Sequence, residues 1–326
     1  MAGGAGRGGK FHGVMVPHMG VERSRVWREV KALGAELERL ARAVGSLVRS
    51  RVAIAVDWNA WWGVEQDSRP GRSNYAATVA KFNRYFFERN SAVDFVHPGA
   101  ELGGYALVVA PALDLLVKGD AADLEKFVER GRVFLTTYFS GIVDEDERVV
   151  LGAYPAYLRR MLGLTVDEGS PMVEGATDGV RFGTERRTVS CSHWCDVVHL
   201  EGAPALAPYA RFFSVGAAVT VKACGAGAAY CVGKQLGEAE RVRVLDGARS
   251  RAEVASVVGG KRGPKHVEVT PREKAARSVC FCSTTARRRR GWRCRRGGQG
   301  MDLLSGDIVK GSVMLLPLGA RVVALA

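Results

Sequence analysis

Four places in this 326-residue chain carry residue types and spacings that could do chemistry. Cys191, His193, Cys195 and His199 share one parity, so an extended segment would turn all four to one face, as a zinc site might seem to ask. A flat strand, however, sets same-face neighbours roughly 6–7 Å apart, while structural zinc favours C-x-x-C knuckles on tight turns. No metal site is expected there. Asp144, Glu145, Asp146 and Glu147 offer four consecutive carboxylates. Consecutive loop carboxylates do not converge on one ion or one scissile bond, so a solvated turn is expected. Ser140, in Thr136–Gly141, follows an apolar run at the place of a strand-to-helix elbow. It lacks the Gly-x-Ser-x-Gly setting of a nucleophile, and the stretch has no cysteine. Nor does a G-x-G-x-x-G follow the first apolar run. Trp58, Trp61 and Trp62, just after Val52–Val56 and Asp57, present flat aromatic faces that can stack on a sugar. Large aromatics at a strand end more often fill a core or an interface, and interface packing is the expected role.

These residues are set on an alternating framework. Val26, Val30, Leu33, Leu37, Leu40 and Val44 recur every three to four residues, which predicts an amphipathic helix over Ser24–Leu47. Strands are predicted at Val52–Val56, Ala92–Val96, Ala106–Ala110 and Val133–Thr137, with helices at Tyr75–Arg89, Ala121–Arg130 and Tyr154–Leu162. Short apolar runs alternating with amphipathic helices predict a doubly wound α/β parallel sheet, flavodoxin-like, covered on both faces. From Thr165 to Leu236 the polarity alternates in shorter runs, including Val180–Phe182, Thr188–Ser190, Val197–Leu200, Phe212–Val215, Ala218–Lys222 and Ala228–Val232. These are expected as antiparallel additions to the same sheet.

The formal net charge is +13, which ordinarily suggests nucleic acid or an anionic surface. Residues 241–300 hold 17 Lys and Arg against 4 Asp and Glu, so the whole excess lies there and the other 266 residues carry 30 of each sign. Seven arginines fall between Arg287 and Arg296, without a recognisable binding fold around them. Nucleic acid is therefore not the expected partner, although such a run gives salt-sensitive non-specific affinity. No apolar run approaches the roughly 18 residues of a membrane span, and the start lacks a secretory apolar segment. A cytoplasmic location and seven reduced thiols are the expectation.

Arg51–Glu65, Val96-His97-Pro98, Leu107–Ala112, Tyr138–Asp144 and Leu151–Pro155 together resemble the trimerisation domain of glycoside hydrolase family 42 β-galactosidases, in the same order and at similar spacing. The resemblance implies a sheet domain like that of class I glutamine amidotransferases, a homotrimer, and no cofactor. In that family a barrel preceding this domain hydrolyses terminal β-galactosides with retention, through two glutamates at the ends of its fourth and seventh strands. By this alignment both glutamates lie upstream of Met1, so no catalytic residue is assigned. Lys10–His18 resembles the last barrel segment, where a Glu and a His hold galactose hydroxyls. His12 takes the histidine position, whereas Gly9 stands where the glutamate belongs. The resemblance thus implies a remnant of the final strand-helix unit of a TIM barrel over 1–50, the trimerisation domain over 51–240, and the last strands of an incomplete C-terminal β-sandwich over 301–326. A galactoside is a partner only where the barrel is complete, and a non-enzymatic homotrimerisation module is the alternative reading.

Residues 241–300 show almost no periodic apolar pattern and are expected to be irregular. Shifted GC-rich codons yield runs of Arg, Gly and Ala, so part of this segment is expected to be read out of frame. Sequencing the locus and its transcript across codons 240–300 should show a frame interruption; an uninterrupted frame on both would contradict it.

Overall fold

The computed structural model describes residues 22–66, 74–152, 154–172, 177–183, 185–190, 194–209, 216–255, 265–274, 277–293 and 299–325. The chain forms two compact units, one of residues 50–256 with 260–262 and the other of residues 1–49, 257–259 and 263–326.

Helix α1 (Arg25–Arg39) opens the smaller unit. Ser24 caps it by accepting from the Trp27 N–H, satisfying a donor that the first turn cannot. None of its residues is buried, and Leu33 and Leu37 of its apolar stripe are more than half exposed.

The larger unit holds β1 (Val52–Ala55), α2 (Trp58–Gln66), α3 (Tyr75–Phe87), β2 (Val93–Val96), β3 (Leu107–Ala110), α4 (Lys118–Glu129) and β4 (Val133–Thr137). It continues through the short α5 (Arg159–Leu162), then β5 (Leu164–Pro171), β6 (Thr177–Phe182), β7 (Glu185–Ser190), β8 (Trp194–Leu200), β9 (Ala205–Pro208), β10 (Ala217–Cys224), β11 (Gly227–Val232) and α6 (Glu238–Arg251). Seven strands form one sheet in the order β2-β1-β3-β4-β11-β10-β9. The first five are mutually parallel, and β10 and β9 run antiparallel to their neighbours.

Strand parity sorts the core into two layers. Val52, Ile54, Leu107, Val109, Val133 and Leu135 face α3 and α6, where Tyr75, Phe82, Phe86, Val244, Leu245 and Ala248 meet them. Ala53, Ala55, Val108, Ala110 and Phe134 face α4, where Leu124, Phe127 and Val128 close the other side. Each of the larger side chains so buried contributes roughly 1.5–3 kcal/mol. Asn74 caps α3 through the Ala77 N–H at 2.7 Å. Gly163, at φ 63°, ends α5 in the left-handed conformation that glycine tolerates.

One sequence expectation needs correction, one segment left unassigned acquires a structure, and one predicted run is not described. The aromatic segment at Trp58, to which the sequence assigns no element, is a helix: Asp57 accepts from the Asn59 N–H at 2.7 Å and starts a turn. The strands between Thr165 and Leu236 are not all antiparallel additions to one sheet: β11 lies parallel to β4, while β5 pairs only with β8 and β6 only with β7 among the named strands. The run at Phe212–Val215 lies outside the described residues.

Residues 241–300 are also more regular than their composition suggests. α6 extends to Arg251, holding its apolar residues against the sheet, with Arg243 and Arg251 exposed and Arg241 and Arg249 half-buried. Beyond it the smaller unit contains β12 (Val267–Lys274), β13 (Arg277–Thr284), β14 (Arg290–Arg293), β15 (Gln299–Asp302), β16 (Ile308–Lys310), β17 (Ser312–Leu315) and β18 (Ala320–Leu325). Five of these form the antiparallel order β12-β13-β18-β15-β16, and β14 pairs with β17. The segment after α1 belongs with them: Leu40 and Ala43 pack on Val279, Leu303 and Val322. Arg272 donates to both the Ser46 hydroxyl and carbonyl, and Leu47 bridges Glu273.

One polar group is set deep in the larger unit. Asp196 on β8 is fully enclosed, and both Tyr154 Oη and Trp194 Nε1 donate to its Oδ1 at 2.7 Å. Burial lifts its carboxyl from 3.8 to about 7, against the opposing pull of these two hydrogen bonds. The folded protein therefore keeps a proton that the unfolded chain releases. Its contribution to stability is complete below pH 3.8 and is lost as pH rises through about 7. Asp196→Asn preserves the acceptor and removes the titration. Urea midpoints measured across this range should fall more steeply with pH in the wild type than in the variant; parallel curves would contradict the assignment.

Candidate functional site

The carboxyl end of the parallel strands gathers the groups with chemical potential, as it does in open α/β sheets generally. Asp57 follows β1 and is 4% exposed. Its Oδ2 lies 3.5 Å from Nε2 of His97, which follows β2. The Gly99 N–H donates to His97 Nδ1, so the ring proton is on Nε2, facing Asp57. This pair was not legible as a unit in the sequence, since 40 positions separate its members; the available signal is that each immediately follows a strand. Asp120, in the first turn of α4, joins the same neighbourhood. Burial raises its carboxyl pKa, His97 lowers it, and Asp123 and Asp57 raise it.

Beside this pair the aromatics form a stack. Trp58 lies on Trp61 with ring centres 5.1 Å apart and planes 12° from parallel, and Trp61 lies on Tyr75 at 5.8 Å. The Asp57 N–H donates to Tyr75 Oη, and burial pushes the Tyr75 phenol up to about 12, so it remains protonated at neutral pH. The stack walls a groove of about 490 Å³ that also includes Val56, Asn83, Phe95 and His97. Trp58 remains 62% exposed and Trp62 is 56% exposed, so the helix presents one aromatic inward and two toward solvent.

After β4 the chain makes the sharp turn that an elbow nucleophile would occupy. Phe139 sits there with φ 58°, a left-handed conformation that costs energy for a bulky side chain. Its ring is buried against Tyr138 and Trp194. Ser140, next in the chain, is also buried: its hydroxyl lies 2.7 Å from Thr136 Oγ1 and accepts from the Leu113 N–H. The turn therefore retains elbow geometry, while its apex is a packed hydrocarbon and its serine tethers backbone.

The remaining candidates resolve individually. Asp144 Oδ1 accepts from the Asp146 and Arg148 N–H groups, making Asp144–Glu147 an exposed, self-satisfied turn. Cys191 and His193 lie outside the described residues, as does His12. On β8, Cys195 is buried while His199 is exposed and pairs with Asp167 at 2.9 Å, so these two do not converge. A cluster the sequence reading missed joins Glu125 and Glu129, one turn apart on α4, with Cys224 at the end of β10; their ligand atoms lie within 4.8 Å of one another. Arg160 pairs with Glu125 at 2.6 Å and reaches Glu129 at 4.0 Å, supplying the positive charge there. Burial raises the Cys224 pKa, which keeps the sulfur a thiol.

The arrangement defines a class: a parallel-rich α/β domain with an aromatic carboxyl edge and an elbow filled by phenylalanine. Residues 50–255 match the family model described as the β-galactosidase trimerisation domain. The chain belongs to glycoside hydrolase family 42, corresponding to a C-terminal portion of its β-galactosidases. It is 40% identical to a β-galactosidase of Heyndrickxia coagulans over 281 residues, covering 85% of this chain and 42% of that protein. A β-galactosidase of an Arthrobacter species is 37% identical over 307 residues, covering 93% of this chain and 42% of the relative. Among solved structures, the β-galactosidase of Bacillus circulans sp. alkalophilus superposes with a TM-score of 0.85 at 29% identity, over 97% of this chain and 47% of that one. The chain thus spans less than half the length of these relatives. No helix among the described residues is long and apolar enough to cross a membrane.

Proposed function

We propose that this chain is the non-catalytic, oligomer-forming portion of a retaining β-galactosidase, that it assembles as a homotrimer, and that it does not hydrolyse galactosides by itself. The observation that carries the reading is the match of residues 50–255 to a trimerisation domain, on a sheet whose elbow position is taken by buried Phe139. The strand order β2-β1-β3-β4-β11 supports placing the larger unit in the flavodoxin-like class, and the antiparallel sheet of the smaller unit supports reading it as part of a C-terminal β-sandwich. In this reading the carboxylates that perform the chemistry belong to the preceding barrel, His12 contacts galactose only when that barrel is whole, and the protein is cytoplasmic.

A free-standing homotrimerisation module is the second reading. The exposed apolar stripe of α1 favours the first, because Leu33 and Leu37 are what a helix of an incomplete layer leaves uncovered. The test is a nitrophenyl β-galactoside assay of the purified 326-residue chain at high protein concentration. Release of nitrophenol should equal the buffer rate; turnover that tracks the protein through purification would contradict the reading.

A further inference from the structure

We infer that the cavity between α3 and α6, at the carboxyl ends of β4 and β11, binds a small monovalent anion of the halide class, held by Arg241, Lys81 and Gln235. The inference stands apart from the assembly reading, and the cavity uses a different face of α3 from the aromatic groove. Positive charge is what this cavity has in excess. Lys81 of α3 and Arg241 of α6 both line it, and among the described residues no acidic side chain does. Tyr138, also in the lining, stays neutral because burial pushes its phenol up to about 12. Burial lowers the Lys81 pKa and the charge of Arg241 lowers it further. Burial likewise lowers the Arg241 pKa, against a smaller opposing pull from Glu238 and Glu240, which lie outside the lining. Two half-buried cations repel, and an anion in their shared cavity turns that repulsion into two attractions.

Hydrogen bonding points the same way. Arg241 Nη1 donates to Leu236 O at 3.4 Å, while Arg241 Nε and Gln235 Oε1 are sealed from solvent without a hydrogen-bond partner among the described residues. A buried donor that makes no bond is costly, and an anion satisfies it with a charge-assisted one. Turned over, the Gln235 amide presents N–H in place of Oε1 and becomes a second donor. Lys234 also lines the cavity, but its ammonium faces the Tyr209 ring at 5.2 Å and is not needed as a ligand. Size selects the class of anion. The cavity measures about 20 Å³, room for roughly one or two water-sized groups, so a chloride or bromide fits and a sulfate or phosphate does not. Phe82, Val232, Leu236, Val244 and Leu245 make the apolar wall, which strengthens charge interactions by keeping water away. Such a wall favours bromide and chloride over fluoride, whose hydration shell is harder to remove. A water could satisfy the same two orphan atoms, yet it would leave the cation pair uncompensated. The bound anion links α3 to α6, so halide stabilises the folded chain.

Bromide is the probe, used on the full chain in two measurements. Crystals soaked in sodium bromide should give an anomalous difference peak within hydrogen-bond reach of Arg241 Nε. In solution, thermal midpoints are compared in sodium bromide and sodium fluoride at equal ionic strength, for the wild type, Arg241→Gln and Lys81→Gln. General salt effects act on all three proteins alike. Relative to either variant, the wild type should gain about 2–4 °C from bromide over fluoride, the shift of a roughly fivefold stabilisation. Should Arg241→Gln fail to fold, Lys81→Gln alone decides the comparison. Ordinary water density in the cavity without an anomalous peak would overturn the inference. A peak accompanied by equal bromide responses in the wild type and the variants would overturn it too, as binding at crystal concentration only.

Discussion

The larger unit depends on three strands that have no face available to water. β1, β3 and β4 are buried on both sides, so their backbone groups are satisfied by neighbouring strands and the Thr136 and Thr137 hydroxyls of β4 by bonds to adjoining backbone. This forces a helix or strand layer over each face and leaves functional side chains only where the strands end. At the carboxyl end of β1 that side chain is Asp57, at β2 it is His97, and at β4 it is Phe139. The edge therefore rests on a core in which six apolar residues of β1, β3 and β4 meet α3 and α6.

What the edge can do follows from what stands there. An imidazole paired with a buried carboxylate would be useful beside a nucleophile, yet the apex of the elbow is a phenyl ring and the adjacent serine hydroxyl is engaged with Thr136 and the Leu113 amide. A left-handed phenylalanine is kept because the packing of its ring against Tyr138 and Trp194 offsets the backbone cost. Trp194 in turn donates to Asp196, so the elbow and the buried carboxyl share one support. These interactions make a rigid surface suited to being packed against.

The sequence disclosed the parts of the fold that burial writes in continuous runs. Leu107–Ala110 and Val133–Thr137 are strands for the reason their composition suggests, and the parallel order follows from the helices between them. Helix α2 is not assigned from the sequence because Trp58–Gln66 shows no apolar stripe of its own; the Asp57 side chain, accepting from the Asn59 N–H, starts it. Residues 241–300 concealed their regularity for a different reason. In α6 Val242, Val244, Leu245 and Ala248 supply apolar contact among arginines, and in β12 and β13 the period of two is carried by Val267, Val269, Cys280 and Cys282. The Asp57–His97 pair was invisible because pairing between β1 and β2, not sequence spacing, brings it together.

The match of residues 50–255 to a trimerisation domain is the ground on which assembly is proposed. Sedimentation equilibrium of the intact chain tests that most directly. The account predicts a mass three times 35.1 kDa over a wide range of loading concentrations. A single species of 35.1 kDa at every concentration would contradict it.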